Sequence, residues 1–140
     1  MRSVRIGAGL GFYGDDWAPL SATITRGDVQ YIASDHLAEL TLAILRKDLE
    51  RDPAAGFTRD LVPMLTALWP LAAPRGVRFV LDAGGLNPAG AGAALANAFR
   101  SRGLKAAIAV VEGDDLLPRI DELHAAGESF AHLDTGAAFE

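Results

Sequence analysis

The chain has 140 residues, half of them hydrophobic, which is enough for one domain with a true core and too little for two. Thirteen Lys and Arg against eighteen Asp and Glu give a formal net charge of -5, and the cations are scattered, which argues against a nucleic-acid backbone as partner. With no cysteine, the fold can use neither disulfides nor thiolate metal sites.

The opening residues hold no apolar stretch long enough for a secretory signal, and no later stretch is long enough to span a bilayer. A cytoplasmic protein away from membranes is the expectation. Residues 4–8 form the first short apolar run, read as a buried strand, and residues 29–33 form the second. Leu37, Leu40, Ile44 and Leu45 then recur at helical spacing. Residues 51–57 read as a surface loop. The segment Phe57-Thr58-Arg59-Asp60-Leu61-Val62 opens a further helix carrying Leu61, Leu65 and Leu68, with Phe57 placed to pack back on its first turn.

A third strand is predicted over 77–81, followed by a helix with Asn87 as cap, Pro88 at its first position and Gly103 as its stop. A fourth strand is predicted over 106–111. Asp114 or Asp115 caps a helix with Leu117, Ile120 and Leu123 that ends near Gly127, and residues 128–136 read as a fifth short strand or a tail. Strand and helix alternate, so the expected fold is α/β: a parallel sheet of four or five strands with helices on both faces, a doubly wound three-layer sandwich of the Rossmann-like or flavodoxin-like kind. The whole chain, 1–140, reads as a single domain.

In such a sheet the loop after each strand reaches one shared edge, where helix N-termini favour anions. Gly9, Gly11 and Gly14 have the spacing G-x-G-x-x-G after an apolar strand, with Asp35 about twenty residues on, as a dinucleotide site needs. The same glycines also suit a tight strand-to-helix turn, and Asp15 and Asp16 would repel a phosphate unless they turn away as caps. Asp35 and His36 pair a carboxylate with an imidazole, suited to acid–base work, and equally to a cap beside a surface histidine. Asp82 ends an apolar strand, and Gly84, Gly85 and Asn87-Pro88 could hold an acyl or phosphoryl oxygen on backbone amides. Glu112 and Asp114 offer a carboxylate base, a metal ligand or helix-capping charges. No pair of histidines has metal spacing, and there is no G-x-S-x-G elbow or Walker lysine, so no metal site is expected.

At these same loops the sequence resembles the acyclic terpene utilisation protein A-like family, once catalogued as a domain of unknown function (DUF1446). The resemblance rests on Arg5-Ile6-Gly7-Ala8-Gly9-Leu10-Gly11-Phe12-Tyr13-Gly14-Asp15, Ser34-Asp35-His36-Leu37-Ala38-Glu39-Leu40-Thr41, Asp82-Ala83-Gly84-Gly85-Leu86-Asn87-Pro88 and His132-Leu133-Asp134-Thr135-Gly136. It implies a role in bacterial breakdown of acyclic terpenes or related branched acids carried as coenzyme A thioesters. It also implies that this chain corresponds to the amino-terminal part of a longer architecture, completed by further sequence, a second subunit or a homo-oligomer. On that reading Asp35, His36, Asp82 and Asn87 lie near the acyl group of a lyase- or hydratase-type site. Gly9, Gly11, Phe12, Tyr13, Gly14, Ser34, Gly84, Gly85 and Glu112 would then line the ligand site. No cofactor is implied beyond the thioester itself. The alternative from the residues alone is an NAD-type nucleotide-binding or assembly module without chemistry of its own.

Overall fold

The computed structural model describes residues 3–138. Three strands, β1 (Ile6–Ala8), β2 (Tyr31–Ser34) and β3 (Arg78–Leu81), form one parallel sheet in the order β1-β2-β3. The register aligns Gly7 with Ile32 and Ile32 with Phe79. Parallel neighbours in register point to the same face, so this row, joined by Ser34 and Leu81, makes one side of the sheet.

Among the described residues, four α-helices of nine to fourteen residues follow the strands or lie between them, and a six-residue helix comes later in the chain: α1 (Ala18–Arg26), α2 (Glu39–Arg51), α3 (Leu61–Ala72), α4 (Pro88–Ser101) and α5 (Ile120–Ala125). The core lies between the Gly7–Ile32–Phe79 face and the helices α1, α3 and α4. It contains Leu20 and Ile24 of α1, Leu61, Met64, Leu65 and Leu68 of α3, and Leu95 and Phe99 of α4. Gly7 is glycine because α1 presses on it: a Cβ there would lie 2.8 Å from Thr23 Cγ2. The helical spacing of Leu61, Leu65 and Leu68 thus marks a buried face, and Asn87 caps α4, its Oδ1 accepting from the Gly90 amide at 2.9 Å. Gly103, with φ +66°, ends α4 in the left-handed conformation.

Three features of the expected architecture are corrected. The sheet has three strands among the described residues: 106–111 joins no ladder, and Ile108, Val110 and Val111 are exposed. Apolar β-branched content is a property of the segment, whereas a strand needs a neighbour's free edge; here Val110 packs instead over Gly92 of α4, and Trp69 Nε1 donates to the Lys105 carbonyl at 2.9 Å. Residues 128–136 contain no strand and fold into a turn, with His132 N donating to the Ala137 carbonyl and Gly136 N to that of His132.

The helices of the core also cover one face of the sheet, not two. The other face carries Ile6, Ala8, Ala33 and Val80, all exposed, with Ile6 at 63% and Val80 at 61%. The reason is topological: the strand order advances in one direction, so successive right-handed crossovers put their helices on the same side. A doubly wound sheet needs a reversal of order, and the described strands contain none.

Candidate functional site

All three strands run in parallel, so the loops after Ala8, Ser34 and Leu81 emerge at one edge, and the sheet's hydrogen bonding continues into them. Gly9 N donates to the Ala33 carbonyl at 2.7 Å and Asp35 N to the Leu10 carbonyl at 3.0 Å. Gly9 has no room for a side chain, since a Cβ would fall 1.7 Å from Ser34 Oγ. That hydroxyl accepts from the Leu10 amide at 2.7 Å. Ser34 therefore stitches the first two loops together from below, a structural use of its hydroxyl.

The second and third loops are joined by His36 and Asp82. The His36 amide donates to Asp82 Oδ1 at 2.7 Å, and Nδ1 of the ring stands 3.3 Å from the same oxygen. The His36 side chain is fully buried whereas that of Asp82 is 39% exposed. A carboxylate facing Nδ1 selects the tautomer with the proton there and leaves Nε2 as an acceptor. Nε2 is buried and has no protein partner, as are the hydroxyls of Thr41 and Thr58. The exposed member of the pair is thus the carboxylate, and the imidazole stands behind it. Both contacts fall on Oδ1, and among the described residues no hydrogen bond falls on Oδ2 of Asp82.

The other expected residues divide between this edge and the framework under it. Asp35 is exposed at the end of β2, its Oδ1 accepting from the Leu37 amide at 3.3 Å. Phe12 is exposed and Tyr13 half-buried in the first loop. Gly14 has φ +92°, and Gly11 N donates to Asp15 Oδ2 at 3.1 Å. The chain's own carboxylate thus occupies an amide that a dinucleotide phosphate would use, while Asp16 turns away to accept from Ala18 N at the start of α1.

The Asp82–Pro88 turn is laced to the 53–58 loop. Thr58 N donates to the Ala83 carbonyl, Leu86 N to that of Gly56, and Asn87 Nδ2 to that of Ala55. Gly85 N and Asn87 N close turns on the Asp82 and Gly84 carbonyls. The amides of Gly85, Leu86 and Asn87, offered by the sequence as an oxyanion cradle, are therefore committed to the fold. Gly85 itself has φ +52°, and a Cβ on it would meet Leu45 Cδ1 at 2.4 Å. Gly84 lies against Pro88, and both ends of the Asn87 amide hold structure. Glu112 is exposed on the irregular segment after α4, and among the described residues no hydrogen bond or ion pair joins it to the His36–Asp82 pair.

The comparison with protein families decides the relationship. The model for acyclic terpene utilisation family protein AtuA matches residues 4–140. The chain belongs to the AtuA family. No curated protein and no solved structure matches it. The matched span takes in every strand-end loop of this AtuA-family chain, together with a residue that the sequence reading passed over. Arg59, between α2 and α3, donates from Nε to Asp48 Oδ2 at 3.1 Å and from Nη2 to Asp48 Oδ1. An arginine on a helix-to-helix loop carries no strand-end signal in the sequence. Its proximity to the edge comes from Thr58, whose amide bonds beside Asp82.

Proposed function

We propose that this AtuA-family chain acts in the breakdown of acyclic terpenes or related branched acids, binding an acyl-CoA thioester at the carboxyl ends of its strands. The observation that carries this reading is the His36–Asp82 pair, which brings a solvent-facing carboxylate, backed by a buried imidazole, to the edge shared by all three loops. Family membership supports the metabolic setting.

The chemistry proposed is general acid–base work of the hydratase or lyase kind. Asp82 Oδ2 takes a proton from the water whose oxygen adds to the β-carbon of an enoyl thioester and delivers it to the α-carbon; in the reverse sense it takes the α-proton and returns it to the oxygen that leaves as water. His36 is a positioning residue: its amide and Nδ1–H fix the carboxylate rotamer. A positioned acid or base of this type contributes about 10²–10⁴-fold to rate. Asp35, exposed beside the pair, contacts the acyl portion, with Phe12 and Tyr13 closing over it. The setting is a bacterial cytoplasm, and the uncovered apolar side of the sheet supports assembly, either with a second copy or with a second subunit.

A second reading, an NAD-type module, draws support from Asp35, which is exposed at the end of β2 where a ribose acceptor stands. The Asp15 carboxylate on the Gly11 amide weighs against it. Calorimetry with a panel of branched acyl-CoA thioesters and with NAD separates the two. Thioester binding with turnover abolished in Asp82→Asn supports the enzyme reading, and binding of NAD alone overturns it.

A further inference from the structure

Arg59 is an exposed cation whose partner is nearly buried: its side chain is 70% exposed, that of Asp48 only 11%. An ordinary surface ion pair contributes about 0–1 kcal/mol, and there is little gain in sinking its carboxylate to hold the arginine still. The geometry instead resembles an arginine prepared for use. Asp48 grips the side formed by Nε and Nη2, so Nη1 and the second Nη2 hydrogen remain as an end-on pair of donors. A guanidinium already fixed loses less freedom when it binds.

Its surroundings form a site. A cavity of about 330 Å³ opens there, lined by Phe57, Ala55 and Arg51 as well as the Asp48–Arg59 pair and Asp52. Asp52 is occupied as a turn acceptor for the Ala54 amide. Arg59 is pushed above its ordinary pKa by its hydrogen bond to Asp48 and then by the Asp48 charge. The segment carrying Arg59 is tied to the Asp82 turn through Thr58 N and the Ala83 carbonyl at 2.9 Å.

We propose that Arg59, oriented by Asp48, is the anion-recognition residue of this edge, taking the oxyanion of an acidic ligand. The inference rests on the reading of the edge as an acidic-ligand site. The oxyanion can belong to a phosphate, as in coenzyme A, or to a free branched carboxylate, and the two are distinguished by probe.

The test titrates inorganic phosphate and 3-methylbutanoate separately into the full chain, following the Arg59 Nε–Hε resonance and calorimetric heat. The expected result is millimolar binding of one probe, weakened about tenfold or more in both Arg59→Ala and Arg59→Lys, with a smaller loss in Asp48→Asn. Arg59→Lys keeps the charge and loses the fork, and unchanged thermal unfolding of that variant separates recognition from folding. Equal binding by wild type and Arg59→Lys, or no binding of either probe to wild type, overturns the proposal. Probe binding is expected to survive Asp82→Asn. If it does while Asp82→Asn also leaves thioester turnover intact, the anion site stands and the catalytic reading of Asp82 falls.

Discussion

Asp82 Oδ1 accepts the His36 amide at 2.7 Å and faces His36 Nδ1 at 3.3 Å, with the imidazole fully buried and the carboxylate reaching solvent. This order inverts the arrangement in which a buried carboxylate orients an exposed histidine. The group presented to a ligand is the acid, and the interior polar group is the histidine.

Replacing Asp82 therefore has two separable effects. Asp82→Asn is expected to lower thioester turnover by about 10²-fold or more, since an amide cannot take the proton. It can still accept the His36 amide through its oxygen, so it costs less stability than Asp82→Ala. The alanine variant strands the buried amide and ring nitrogen and is expected to lose about 1–3 kcal/mol. Urea unfolding of the two variants side by side checks the difference.

Gly9 is predicted to tolerate no side chain. Gly9→Ala puts a methyl 1.7 Å from Ser34 Oγ and 2.9 Å from the Ala33 carbonyl, so the loop must move, at a cost of about 1–3 kcal/mol. Combining it with Ser34→Ala removes the hydroxyl and leaves the backbone contact. The double variant should accordingly recover part of the loss and not all of it, a non-additivity that chemical denaturation reads directly.

Gly85 and Gly14 provide a matched comparison. Both have positive φ, but Gly85 is packed against Leu45 and the Gly56 carbonyl, whereas Gly14 has nothing within 4 Å of a Cβ. Alanine at Gly14 should cost about 1 kcal/mol of backbone strain. At Gly85 the same change adds steric overlap and is expected to cost more, seen as the larger fall in denaturation midpoint.

Asn87 is expected to behave as a structural residue. Asn87→Ala removes the cap on Gly90 N and the strap to the Ala55 carbonyl, for a loss of about 1–2 kcal/mol. Asn87→Asp keeps the cap acceptor and loses the strap donor. If the residue acts through structure, thioester KM and kcat measured on folded Asn87→Asp remain near those of the parent, while its thermal midpoint falls.

The sequence made parts of this legible for identifiable reasons. Leu61, Leu65 and Leu68 recur with the helical period and are buried, and Asn87-Pro88 with Gly103 bounds α4 because capping and left-handed stops are local chemistry. Three parallel strands follow from apolar runs separated by helices. Residues 106–111 carry the same local signal, but pairing depends on an edge that sequence does not display. His36 and Asp82 stand out as chemistry at strand ends, whereas their relative burial depends on tertiary packing that residue spacing does not display. The Gly84-Gly85 pair suggests a free cradle because sequence does not reveal that the same loop occupies the neighbouring amides. Arg59 gives no signal for a related reason: it lies on a loop, and its partner Asp48 is eleven residues away on α2.

The most direct test of the central claim is a map of backbone amide shifts during titration with a branched acyl-CoA thioester. Perturbations concentrated at residues 9–14, 35–36, 59 and 82–84 are the predicted result, because those segments share the carboxyl edge of the sheet. Shifts confined to the exposed side around Ile6 and Val80, or to the opposite ends of the strands, would contradict it.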